Sequence, residues 1–182
     1  FNSKIFHKTE FNNYRSQERP FDIEKGISDR CNPDNFQLTN IQKILKNFIS
    51  PNTPYNGLLL FHGTGVGKTC TSITIAEQFK KYLKKLNKKI IVLLSPSIKD
   101  NFKKNIFDIN KLKKQKKIVK GEHINQCTSN TYLNDIDLED FSDHDIVRKK
   151  INRLINSYYQ FMGYQEFANL IEKIEEDSIK GY

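Results

Sequence analysis

No stretch of this chain approaches the ~18 consecutive apolar residues of a membrane-spanning helix, and no signal peptide is recognisable, so a membrane is not an expected partner. Cysteine is scarce. Cys31, Cys70 and Cys127 are odd in number, widely spaced and never arranged as Cys-x-x-Cys. That usage predicts a reducing compartment, the cytoplasm first, and argues against a disulfide framework or a zinc site. His123 and Cys127 stand close in sequence, but two potential ligands do not make a metal centre. Arginine is scarce too, with only Arg15, Arg19, Arg30, Arg148 and Arg153 among 30 basic residues. The net charge of +9 and pI of about 9.3 call for an anionic partner such as nucleic acid. Base reading favours the bidentate arginine fork, so a lysine excess suits non-specific contact with the phosphate backbone. AT-rich codons, which also supply Asn and Ile, are a second source for part of that charge. Internal repeats are absent, and Phe1 stands where a methionine would, which predicts a fragment or processed product. With 182 residues, 37% hydrophobic and 28% charged, the expectation is one domain with an appended arm.

What is present centres on Gly57-Leu-Leu-Leu-Phe-His-Gly-Thr-Gly-Val-Gly-Lys-Thr69. It reads as a buried strand over 58–61 that breaks into a phosphate-binding loop. Gly63, Gly65 and Gly67 permit a tight turn that brings backbone N–H groups close to an anion. Lys68 would reach the β- and γ-phosphates, and Thr69 would place its hydroxyl on Mg²⁺. A helix starting here adds its positive N-terminal end to the same site. The usual first glycine of the pattern falls at His62. A glycine-rich turn that binds nothing has no need of Lys-Thr directly after it.

Residues 1–35 are polar, carry scattered aromatics without a period, and read as an arm. Over 39–50, Ile41, Ile44, Leu45, Phe48 and Ile49 share one helical face, and Pro51 ends the helix. After the loop, Ile73, Ala76, Phe79, Leu83 and Leu86 mark a second helix. Lys80, Lys81, Lys84, Lys85, Lys88 and Lys89 are expected on its solvated side. Ile90-Ile-Val-Leu-Leu94 reads as a strand buried on both faces, so strand, loop, helix and strand form a βαβ unit with a parallel sheet. Ser97-Ile-Lys-Asp100 looks like a capping box for a helix running through Ile98, Phe102, Ile106 and Ile109. Residues 111–120 are basic without a period, and 121–143 read as a polar, partly acidic insertion. Ser142 or Asp143 would cap a helix carrying Val147, Ile151, Leu154 and Ile155. A strand over 158–162 ends at Gly163, and Phe167, Leu170, Ile171 and Ile174 mark a last helix.

Gln42 lies on the helix that leads into the phosphate loop. Its amide offers a donor and an acceptor that can pair with the N6 and N7 edge of adenine, and Phe36 could stack on the base. Thr39-x-x-Gln42 is equally a capping box, which would use the same amide for structure alone.

A glutamine-bearing helix, a strand, Gly63-Thr-Gly-Val-Gly-Lys-Thr69 and a strand ending Leu94-Ser-Pro-Ser97 together resemble the first lobe of a superfamily 2 helicase. More narrowly, the loop segment and Tyr159-Gln-Phe-Met-Gly-Tyr-Gln-Glu-Phe-Ala-Asn169 resemble the nucleoside triphosphatase I and early transcription factor branch of poxviruses and related large DNA viruses. The likeness covers about 36–175. It implies an α/β, RecA-like P-loop NTPase fold, a parallel sheet flanked by helices, here as a truncated first lobe. The arm would occupy 1–35 and the partial helicase domain 36–182. The implied ligands are ATP and Mg²⁺, held by His62, Gly63, Thr64, Gly65, Val66, Gly67, Lys68 and Thr69 with Gln42 and Phe36. Motif Ia would fall at Ser95, Pro96 and Ser97, and motif Ib at Gly163 and Tyr164, both on the nucleic-acid backbone. The same resemblance implies viral RNA polymerase or transcription machinery as partner, in host cytoplasm, viral factory or virion.

An apolar strand ending in Asp-Glu, which such an enzyme needs to hold magnesium and orient water, is missing. Glu175-Glu-Asp177 follows a helical pattern instead, and no second lobe is present. The sequence therefore predicts a nucleotide-gripping fragment with little turnover of its own. Two other readings stay open, a small-molecule or nucleotide kinase and a non-enzymatic nucleic-acid-binding module with a vestigial loop. A kinase should carry a lid of clamping arginines, and the only later ones are Arg148 and Arg153.

Overall fold

The structure, a computed structural model, describes residues 4, 7–14, 37–61, 63, 65–113, 124–136 and 144–180. Most of the predicted arm lies outside them, as do Phe36, His62, Thr64, His123, Ser142 and Asp143. A one-turn helix α1 (Thr9–Asn12) is followed by α2 (Asn40–Phe48). The capping box of α2 forms in full: Thr39 Oγ1 accepts from the Gln42 amide at 3.3 Å, and Gln42 Oε1 accepts from the Thr39 amide at 2.9 Å. Two of the first-turn donors that no helix can satisfy internally are thereby paired. Gln78 of α3 (Lys68–Lys85) donates to the Lys46 and Ile49 carbonyls at 2.6 and 3.3 Å, which ties the end of α2 to α3. Phe48 stacks on Tyr55 at 4.1 Å and so anchors the connector to the loop.

Helix α3 ends where Asn87 takes φ +52, a left-handed conformation that asparagine tolerates better than most side chains. The chain then turns back into β1 (Ile90–Leu93). A 3₁₀ turn at Pro96–Ile98 leads to α4 (Lys99–Ile106), then come the one-turn helices α5 (Asn110–Lys113) and α6 (Thr131–Asn134). Next are α7 (His144–Tyr158), β2 (Tyr159–Met162) and α8 (Tyr164–Lys180). β1 and β2 pair in parallel, with Ile90 opposite Tyr159 and Leu93 opposite Met162. One further ladder bond runs from the Leu94 amide to the Met162 carbonyl at 3.1 Å. The core gathers Ile73 of α3, Leu94, Ile106, Val147, Ile151 and Ile155 of α7, and Tyr159 and Phe161 of β2.

Several expectations need correction. Residues 58–61 form no strand: Leu59 is 85% and Phe61 91% exposed, because among the described residues β1 bonds only to β2 and no ladder reaches this segment. The parallel pair is thus β1–β2, not the expected pairing across the phosphate loop. β1 is also not buried on both faces. Its alternation turns Ile91 and Leu93 onto a side that no described helix covers, while Ile90 and Val92 pack on the core. Ser97 does not cap α4; its hydroxyl lies 3.0 Å from that of Ser95, and α4 stops at Ile106. Ile41 and Leu86 are exposed rather than facing the core.

Two polar assignments change as well. Lys80 is buried, not solvated, because Glu77 one turn earlier offers it a carboxylate at 2.9 Å. Residues 124–136, read as part of a polar insertion, supply Ile124, Gln126, Thr128, Tyr132, Leu133 and Ile136 to the interior. Runs of Asn, Gln, Thr and Ser between the few apolar residues hide what they bury.

Candidate nucleotide-binding site

The loop before α3 is built by glycine. Gly65 takes φ +79 and Gly67 φ +84, both in the left-handed region that a Cβ disfavours. A Cβ added at Gly65 would meet nothing, so the mouth of the loop is open, whereas one at Gly67 would lie 2.8 Å from Gln42 Nε2. The loop is thus shaped by conformation at Gly65, and by conformation and close packing together at Gly67. Lys68 opens α3, and its ammonium donates to the Gly63 carbonyl at 3.1 Å in an exposed position, arching back over the loop. Val66 is exposed and Thr69 half-buried.

Electrostatics favour an anion here. The first-turn amides of an eighteen-residue helix have no intrahelical acceptor, and their dipoles converge on the loop. Gly67 O is occupied, accepting from the Thr71 amide at 2.9 Å and the Thr71 hydroxyl at 3.0 Å. The residues present therefore fit a polyphosphate: an open loop with left-handed glycines, a mobile-headed cation on its rim and a helix N-terminus beneath it.

Gln42 is buried, with both ends of its amide engaged. Oε1 serves the capping box, and Nε2 donates to Gly67 O at 3.5 Å. In this conformation Gln42 braces the loop from α2. A consequence can be checked directly. Gly67→Ala should lower stability by about 1–2 kcal/mol through left-handed strain and weaken nucleotide affinity by displacing the Gln42 amide. Gly57→Ala, whose new methyl meets nothing within 4 Å, should leave the denaturation midpoint unchanged.

Ser95 to Ser97 and Gly163 with Tyr164 sit side by side at the carboxyl edge of the sheet, a consequence of the Leu93–Met162 register. Ser97 is exposed, Tyr164 is 67% exposed, and the Gly163 amide donates to Glu166 Oε2 at 3.3 Å. Phe36, His62 and Thr64 lie outside the described residues. Among the described residues, no cluster of three or more His, Cys, Asp or Glu could hold a metal, and no helix is long and apolar enough to cross a membrane.

Two features behind the loop escaped the sequence reading. Cys70 and Cys127 are disulfide-bonded, with Cα atoms 5.3 Å apart, which corrects the expectation that the cysteines form no disulfide. Spacing along the chain gave no sign of it, because the two cysteines stand 57 positions apart and only the fold brings them together. The second is a buried polar knot. Glu77 Oε1 accepts from Tyr132 Oη at 2.8 Å and Tyr159 Oη at 2.5 Å, while Oε2 pairs with Lys80. The Lys80 ammonium also lies 4.0 Å from the Tyr132 ring centroid and 4.5 Å from that of Tyr158. A glutamate three residues before a lysine on the helix was its only sequence signal.

Comparison with known proteins decides the family. The profile of the type III restriction enzyme, res subunit, ResIII, matches residues 30–181. The chain belongs to the ResIII family. ResIII is the amino-terminal domain of superfamily 2 helicases, so the α/β arrangement, with its parallel pair and flanking helices, is a RecA-like P-loop fold. Among the relatives of this ResIII chain is a "Putative ATP-dependent RNA helicase" of Acanthamoeba polyphaga mimivirus, 36% identical over 197 residues, covering 100% of this chain and 15% of the relative. A "Putative helicase" of Invertebrate iridescent virus 3 is 34% identical over 152 residues, covering 79% and 13%. An "Early transcription factor large subunit homolog" of African swine fever virus is 30% identical over 177 residues, covering 86% and 14%. The chain thus spans 13% to 15% of the length of these three relatives. No solved structure matches it.

Proposed function

We propose that this ResIII chain is the ATP-gripping part of a viral helicase-like NTPase that couples hydrolysis to movement along nucleic acid or to remodelling of a transcription complex. The observation that carries this is the loop itself: Gly65 and Gly67 held left-handed, with Lys68 arched over the loop at the start of a long helix. In this reading the amides from Gly63 to Thr69 cradle the phosphates, with His62 and Thr64 in the same loop. Lys68 neutralises the β- and γ-phosphates and Thr69 ligates Mg²⁺. Gln42 reads adenine by turning its amide from the capping box, with Phe36 against the base. The relatives' names, helicase and early transcription factor homolog, support nucleic acid and transcription machinery as partners. Calorimetric titration of the whole protein with ATP tests the nucleotide half. Binding that needs Mg²⁺ and discriminates ATP from GTP is expected, and no heat with either nucleotide would end the reading.

In the same proposal, Ser95 to Ser97 and Gly163–Tyr164 touch the nucleic-acid backbone along one edge. Exposed lysines of α3 and the turn after it add phosphate contacts. If Lys81 or Lys88, both exposed, makes such a contact, its replacement by alanine should reduce the salt slope of nucleic-acid affinity by about one unit. Measuring affinity at four or more salt concentrations checks this. An unchanged slope would mean that these lysines face only solvent.

A further inference from the structure

Cys70 is the third residue of α3, directly after Thr69 and two after Lys68, so its sulfur belongs to the turn that forms the floor of the phosphate loop. Its partner Cys127 arrives on the 124–136 segment, which hydrogen bonds also hold on either side of the cysteine: the Asp108 amide donates to Gln126 Oε1 at 2.9 Å. Thr128 Oγ1 donates to the Ile106 carbonyl at 2.6 Å, and Tyr132 Oη donates to Glu77 at 2.8 Å. Cys70 is 8% exposed, whereas Cys127 is only half-buried. We propose that Cys70 and Cys127 form a reversible redox latch on the phosphate-binding loop, closed as the disulfide and opened by a dithiol reductant. This rests on the nucleotide reading given above.

The asymmetry of burial sets the direction of the exchange. A thiolate of the reductant attacks Cys127 Sγ, the accessible sulfur, forming a mixed disulfide. The Cys70–Cys127 bond breaks, and Cys70 leaves as a thiolate that the amino end of α3 stabilises before it takes a proton. The second thiol of the reductant then displaces Cys127. Overall the cystine gains two electrons and two protons, and the dithiol becomes a disulfide. Opening releases Cys127 Sγ from α3 while Gln126, Thr128 and Tyr132 keep their anchors, so the change is local to the first turn of α3. The closed latch holds that turn in place before nucleotide arrives, and a preorganised site binds more tightly than one that must be ordered.

The test uses the whole protein poised in buffers of oxidised and reduced dithiothreitol. Non-reducing peptide mapping reports the Cys70–Cys127 link, and a fluorescent ATP analogue with Mg²⁺ reports affinity. The oxidised protein should bind about threefold to tenfold more tightly, and Cys127→Ser should bind at the reduced value in every buffer. Cys31→Ser should leave the response intact. Should Cys127→Ser fail to fold, the wild-type protein in its two redox states still decides. Equal affinity in both states with the link verified, or no linked peptide after oxidation, overturns the latch. Loss of ATP binding in both states overturns the nucleotide reading and the latch with it.

Discussion

Lys68→Ala is expected to lower kcat/KM for ATP in the whole protein by roughly 10²- to 10³-fold, equivalent to about 3–4 kcal/mol of transition-state stabilisation. The ammonium lies on the loop rim, where it donates an exposed hydrogen bond at 3.1 Å to Gly63 O. Lys68 is no part of the buried core cluster, so the unfolding midpoint should hardly move. Lys68→Arg should rescue little, because the planar guanidinium cannot follow a path shaped for a compact ammonium close to the backbone. ATP turnover measured beside thermal unfolding separates the two effects. A variant that loses stability in proportion to activity would show that Lys68 is structural.

Glu77→Ala should produce the largest stability loss, about 3–5 kcal/mol. It strands three buried groups at once: the Tyr132 and Tyr159 hydroxyls and the Lys80 ammonium. Glu77→Gln keeps an acceptor for the phenols but leaves Lys80 without its counter-charge, so it should fall between. Alkaline titration reads the same knot. Burial first, and the Glu77 carboxylate second, push both phenols far above the ordinary tyrosine range. With the folded-state values above the unfolded ones, the folded protein holds more protons than the unfolded chain at high pH. The stability tied to these groups is therefore complete below about pH 10 and drains away above it. Tyr132→Phe removes one of the two phenols and should make the decline shallower. Denaturant midpoints between pH 8 and about 11 would show it.

Local signals carried most of the fold. Thr39 and Gln42 announced a capping box, and the box forms; the apolar spacing of Val147, Ile151 and Ile155 announced α7, and all three are buried in it. Glycines at 63, 65 and 67 announced a tight turn, and Gly65 and Gly67 take positive φ in it. What failed was whatever depended on partners distant in the chain. The apolar run 58–61 looks like a strand in isolation, but a strand exists only through its ladder, and none reaches it among the described residues. Lys80 looks solvated in a run of lysines, and it is buried because the local Glu77 carboxylate is joined by the Tyr132 and Tyr158 rings, brought from far along the sequence. The cysteine pair likewise has no signature until the 124–136 segment folds onto α3.

The loop proposed to hold phosphate was legible because its signal is local: glycines, a lysine and a threonine within seven residues feeding a helix start. Its support was not, since Gln42 reaches Gly67 from another helix and Cys127 reaches Cys70 from another segment. Gln42 illustrates the limit well. The same amide that could read adenine is spent in this conformation on Thr39 and Gly67, and the sequence permitted both uses.

Phosphate release from MgATP by the whole protein, measured with and without added single-stranded polynucleotide, tests the central claim most directly. Turnover that rises on adding polynucleotide and vanishes when Mg²⁺ is chelated is the predicted result. ATP bound with no release of phosphate in either condition, or turnover indifferent to nucleic acid, would contradict it.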